Sequence, residues 1–121
     1  MPNDFELTHE TVPGGQLVAV RGEIDLFSAP ELKQRLTALI DGGAQAIVVD
    51  LSETTFLDST ALGVLIGAVK RLRTKDGRMV IVNVDSSIAK IFEITGLDQI
   101  FDIQPTRQEA TAALGASPSP D

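Results

Sequence analysis

The chain has 121 residues, is 43% hydrophobic with few aromatics, and carries a formal charge of -7, which describes one globular domain with a core of Val, Ile, Leu and Ala. The absence of cysteine excludes disulfide scaffolds, thiolate metal sites and cysteine nucleophiles. The acidic balance repels phosphate backbones and no aromatic cluster offers a base-stacking platform, so no nucleic acid is expected as a partner.

Met1 to Val12 shows no basic-then-apolar leader, so no secretion signal is expected, and no segment reaches the roughly 20 apolar residues a bilayer requires. The expected location is the cytoplasm, with no membrane partner. Gln16-Leu17-Val18-Ala19-Val20-Arg21 follows the turn Pro13-Gly14-Gly15, which predicts a strand paired in a hairpin with Asp4 to His9. After Gly22-Glu23-Ile24-Asp25, the segment Ser28-Ala29-Pro30-Glu31 matches a capping box with Pro in the first turn. Leu32, Leu36, Leu39 and Ile40 give that helix its buried face, and Gly42-Gly43 ends it.

Ala46 to Leu51 reads as a strand, because the β-branched run Ile47-Val48-Val49 suits a strand covered on both faces. A helix from Ser59 to Lys75 follows, with Ala61, Leu65, Ala68 and Leu72 as its apolar stripe and Leu62, Val64 and Val69 widening it. Either Asp58 or Ser59 can cap this helix. The opposite face carries Ser59, Gly63, Ile66, Gly67, Lys70 and Arg73. Two glycines four apart inside a helix cost about 1 kcal/mol each relative to Ala, so something should approach that backbone closely. Either another element of this domain or an external partner would serve, and Ile66 favours a docking patch.

Met79 to Val82 forms the next apolar strand, and Asp85-Ser86-Ser87 caps a short helix carrying Ile88, Ile91 and Phe92 that closes at Gly96-Leu97. Ile100 to Ile103 is a last short strand. Thr106-Arg107-Gln108-Glu109 is a second capping box opening a weak helix through Leu114. The expected fold is therefore α/β: one domain over 1–114, four helices and a mixed, mainly parallel sheet of about four to five strands, with 115–121 as a disordered tail.

The residues argue against an enzyme. His9 is the sole histidine, and a Ser-His-Asp hydrolase using Ser59 would also want a Gly-x-Ser-x-Gly elbow where this chain has Leu57-Asp58-Ser59-Thr60-Ala61. No nucleotide-phosphate loop and no His or Cys cluster is present, so neither cofactor nor metal is expected. Asp25, Asp50 and Asp58 fall at or near strand ends, where the loops of a parallel sheet gather, so Asp25 and Ser59 could be neighbours. A phospho-accepting receiver domain is a rival for these acids, with Asp50 ending its strand as acceptor, but Ile100 to Pro105 lacks the lysine it requires.

Gly22-Glu23-Ile24-Asp25 with Ser28-Ala29-Pro30-Glu31-Leu32, then Val49-Asp50-Leu51, Phe56 through Leu65, and Ile91 through Leu97, together resemble the bacterial anti-anti-sigma factors, the anti-sigma factor antagonists. These belong to the sulfate transporter and anti-sigma-factor antagonist (STAS) domain class. One departure is Ala61, where the family usually has Gly. The resemblance implies a partner-switching regulator of transcription that catalyses nothing. Unphosphorylated, it would bind an anti-sigma factor of the histidine-kinase-like ATPase fold and free a sigma factor; that serine/threonine kinase would phosphorylate Ser59, and a serine phosphatase would reverse it. Glu23, Asp25, Asp58, Thr60, Gly63, Ile66, Gly67 and Lys70 are the expected partner-binding residues. The alternative is a STAS scaffold subunit of a larger sensory assembly.

Overall fold

The computed structural model describes residues 5–115 of the chain, so Asp4 and the expected tail at 116–121 lie outside the described residues. The elements in order are β1 (Glu6–Val12), β2 (Gly15–Ile24), α1 (Ala29–Asp41), β3 (Ala46–Leu57), α2 (Ser59–Arg73), β4 (Arg78–Val82), α3 (Ser86–Thr95), a 3-10 turn (Leu97–Gln99), β5 (Asp102–Gln104) and α4 (Arg107–Gly115). They build one five-stranded sheet in the order β1-β2-β3-β4-β5. The hairpin pair β1-β2 is antiparallel, and the three pairs that follow are parallel. This is the mixed, mostly parallel α/β fold expected from the alternation of strand and helix signals.

Side-chain parity along the strands explains the layers, since neighbours on a strand face opposite ways. Val18, Val20, Ile47, Val49, Leu51, Met79 and Ile81 join the main core with α1, α2 and α3. The alternate positions Leu17, Val48, Val80 and Val82 form a second, smaller core with Ala110 and Leu114 of α4. Three helices thus cover one face of the sheet and α4 covers the other.

Asp50 shares the parity of Val48 and points to the α4 side. Only 2% exposed, it accepts from the Ser52 amide at 2.9 Å and from Arg107, the first residue of α4. Arg107 also lies 3.6 Å from Glu10 of β1. Burial pushes the Asp50 carboxyl up, but the hydrogen bonds from Ser52 and the Arg107 guanidinium hold it below its ordinary value. Asp50 is therefore a pin for α4 rather than a strand end, and this removes the receiver-domain reading, which needs that carboxylate free at the strand's tip.

The structure moves several boundaries. β3 runs on through Leu57 instead of stopping at Leu51, and β2 runs on to Ile24. Two register irregularities, at Ala19/Arg21 and Gly22/Glu23, separate this extension from the rest of the ladder. They break the simple alternation that would have marked Ser52 to Phe56 as strand. Thr54 bridges the irregular stretch by donating to the Val20 carbonyl at 3.0 Å. Because β4 pairs with β3 only as far as Asp50, the β2-β3 ribbon projects beyond the rest of the sheet and carries the start of α2 with it.

Ser28 does not act as a capping-box residue: its hydroxyl makes no cap bond to α1. It donates instead to the Glu23 carbonyl at 2.9 Å and accepts from the Asp25 amide at 2.9 Å, closing the loop between β2 and α1. At Thr106 the expected cap does form, with the hydroxyl accepting from the Glu109 amide at 3.0 Å. The Glu109 carboxylate returns to that hydroxyl at 3.2 Å rather than to the backbone. Gly96 closes α3 in the left-handed region at φ 77°, and Leu97 beyond it is buried, as a Schellman-like ending requires. Gly115, expected in the tail, instead closes α4.

Candidate functional site

The site forms where the parallel strands end. Asp58 caps α2: its backbone is extended and its carboxylate accepts from the Ala61 amide at 3.0 Å. This settles the choice between Asp58 and Ser59, and it leaves Ser59 as the first helical residue with its side chain exposed. The Asp58 amide donates to the Ile24 carbonyl at 3.2 Å, so the end of β2 is tied to the start of α2. Asp25, the next residue after Ile24, and Ser59, the next after Asp58, are thereby brought to one edge. The geometry joins two residues 34 positions apart in the chain, as parallel pairing predicts for such loops.

Asp25 is held by its own loop. Its carboxylate accepts from the amides of Phe27 at 2.9 Å and Ser28 at 3.0 Å and from the Ser28 hydroxyl at 3.1 Å. These bonds, the Ser28 amide foremost, hold its carboxyl below its ordinary value although partial desolvation opposes them. It is a fixed negative charge on the same edge as the serine. Glu23 is exposed one residue before Ile24, opposite Phe56 in the ladder.

The remaining expected residues divide. Thr60 and Gly63 with Gly67 are exposed and line a groove between α1 and α2. A Cβ placed on Gly63 or Gly67 would meet nothing within 4 Å, so among the described residues no element makes the close approach that the glycine spacing demands. Ile66 is half-buried against the main core, and Lys70 is exposed on the last turn.

Reasoning from the sequence passed over an apolar rim on this same edge. Leu26 and Phe27 in the β2-α1 loop, Phe56 near the end of β3 and Val84 after β4 are all exposed. Phe27 is 87% exposed, an arrangement that costs hydration without contributing to the core. Leu26 and Phe27 fall between the end of β2 at Ile24 and the start of α1 at Ala29, where no periodic pattern assigns an apolar residue to the core or to the surface. His9 lies opposite Val18, well down β2 from the site, and its Nδ1 is 2.9 Å from Arg35 of α1. No triad with Ser59 exists. Among the described residues no cluster of His, Cys, Asp or Glu could hold a metal ion, and no helix is long and apolar enough to cross a membrane.

Comparison with known proteins places this geometry. The STAS domain family model matches residues 7–110. A Staphylococcus aureus protein named anti-sigma-B factor antagonist is 37% identical over 86 residues, covering 71% of this chain and 80% of the relative. A Listeria monocytogenes protein of the same name is 36% identical over 92 residues, covering 76% and 81%. Among solved structures, an anti-sigma factor antagonist from Mycobacterium paratuberculosis superimposes with a TM-score of 0.87 at 31% identity, covering 96% of this chain and 98% of that one. The chain belongs to the STAS domain family, alongside the bacterial anti-sigma factor antagonists.

Proposed function

We propose that this protein is an anti-sigma factor antagonist of the partner-switching type. In its unphosphorylated form it binds an anti-sigma factor that is also a serine kinase, a sigma factor is released, and phosphorylation of Ser59 ends the interaction until a phosphatase restores it. The observation that carries this reading is an exposed hydroxyl at the first turn of α2, next to the capping Asp58 and on the same edge as the fixed carboxylate of Asp25 and the exposed apolar Leu26, Phe27, Phe56 and Val84. The names of the relatives agree with it.

The electrostatics supply a mechanism. A phosphate adds about -1.5 to -2 charge. At a helix N-terminus the dipole and the amides outside the intrahelical ladder favour an anion, so the modified domain stays folded. The penalty falls on binding. A dianion added to the charges of Asp25 and Asp58 would have to be buried against the partner, at a cost of several kcal/mol. Since about 1.4 kcal/mol is tenfold in affinity, that is ample to release it.

The test is a pull-down from the source cytoplasm with and without ATP, with mass spectrometry of the bound protein and of Ser59. Binding of an anti-sigma factor kinase without ATP, and its loss together with a phosphate on Ser59 when ATP is added, supports the proposal. Retention of the partner with Ser59 phosphorylated overturns it. Ser59→Ala keeps the partner and resists modification, whereas Ser59→Asp weakens binding with little change in melting temperature.

A further inference from the structure

The groove between α1 and α2 begins at Thr60, next to Ser59, and runs away from the switch along both helices. It encloses about 650 Å³ as an open trough. Its floor is apolar, with Leu36 and Ile40 from α1 and Val64 and Ala68 from α2. On the α2 side it runs from Thr60 to Arg71, three helical turns or about 16 Å at 1.5 Å per residue. Gly63 and Gly67 lie along it with open space where side chains would be, so an incoming backbone can come closer to α2 than any side chain would allow.

The charge of the groove narrows the occupant. Lys33 and Arg71 stand at its sides and no acidic residue lines it, although the chain as a whole carries -7. Arg71, with Lys70 and Arg73, sits in the last turn of α2, where cations complement the helix dipole, and it pairs with Asp41. Lys33 has no such explanation: it lies within α1 and makes no ion pair among the described residues. An open apolar trough along three turns of α2, with the Lys33 ammonium uncompensated at one side among the described residues and Arg71 already paired with Asp41, fits the apolar face of a helix whose flank is acidic.

We propose that the α1-α2 groove receives an amphipathic, acidic-flanked helix of a partner protein. The inference depends on the groove alone and stands whether or not Ser59 is modified. It is tested by titrating the 15N-labelled full chain with a synthetic 16-residue helical peptide that carries one Leu/Ala face flanked by Glu. The expected result is saturable shifts at the amides of Leu36, Gly63, Val64 and Gly67, weakening as salt is added. A peptide with Lys in place of Glu, or the Lys33→Glu variant, should bind at least tenfold more weakly. Gly67→Leu should remove binding while melting no lower than the parent. The proposal is overturned if no saturable shifts occur, if they are confined to the Ser59 rim, or if the Lys peptide binds equally well. It is equally overturned if the groove responds instead to palmitate or to rising concentration of the protein itself, which would make it a lipid site or a self-association face.

Discussion

Replacing Gly63 and Gly67 by Ala should make this protein more stable. Each glycine sits inside α2 and, among the described residues beyond its own neighbours and helix backbone, nothing lies within 4 Å of the Cβ it lacks. The substitution therefore meets no steric cost and gains helix propensity, about 1 kcal/mol per site. For a chain of this size about 1 kcal/mol raises Tm by roughly 3 to 6 °C, so the double variant should melt roughly 6 to 12 °C higher. Gly77 supplies the opposite case, because a Cβ there would lie 2.3 Å from the Gln45 carbonyl oxygen. Gly77→Ala must displace backbone at the head of β4 and should lose about 1 to 3 kcal/mol. Calorimetry and urea titration of the three variants give the comparison directly. A lower Tm for Gly63→Ala or Gly67→Ala would mean that this chain itself occupies the α1-α2 groove, and the argument that the glycines await an external partner would be wrong.

Other substitutions separate stability from binding. Asp58→Ala removes the α2 cap and should cost about 1 kcal/mol by denaturant titration, while Asp58→Ser, which can still accept from the Ala61 amide, should lose only a fraction of that. Phe27→Ser should leave Tm within roughly 3 °C, since surface changes away from packed features stay within about 0.5 kcal/mol, yet weaken partner capture; a larger drop in Tm would place Phe27 in the fold rather than the interface. Asp50 titrates below its ordinary value of 3.8, so in acid the unfolded chain takes up its proton first. The stability that Asp50 contributes is complete above about pH 4 and is lost as pH falls through the folded value. Asp50→Asn should flatten the acid limb of the stability curve, and an unchanged limb would show that the Arg107 contact contributes nothing.

The main elements were legible because their signals were redundant. The apolar period of α2, the β-branched run of β3 and the cap at Asp85 agree with one another and stand where the pattern places them, and of the two cap candidates at α2 the structure takes Asp58. What escaped was governed by tertiary hydrogen bonds. Ser52 to Phe56 is polar and irregular, and it becomes strand only because it pairs with β2 across two register breaks. Ser28 carries a capping signature, but the Glu23 carbonyl and the Asp25 amide claim its hydroxyl. Asp50 reads as a strand tip because the apolar run ends at Leu51, and its partner, Arg107, lies 57 residues away.

The site divides in the same way. Ser59, Asp58 and Asp25 could be placed together because a parallel sheet collects the loops at one edge. The rim of Leu26, Phe27, Phe56 and Val84 could not, since hydrophobicity alone does not reveal whether a residue in a loop or near a strand end turns inward. Face assignment by helical angle was also incomplete. Gly63 and Gly67 border the groove with Thr60, whereas Ile66, only three residues from Gly63, leans into the core.

The central claim is that a charge on Ser59, not a change of fold, controls partner binding. The direct measurement is isothermal titration of the anti-sigma factor kinase of the source organism with this protein, unmodified and carrying phosphoserine at position 59, alongside melting curves of both forms. The account predicts an affinity at least about 100-fold weaker for the phosphorylated form, equivalent to about 2.7 kcal/mol, with closely similar melting temperatures. Equal affinities, or a phosphorylated form that has lost its fold, would contradict it.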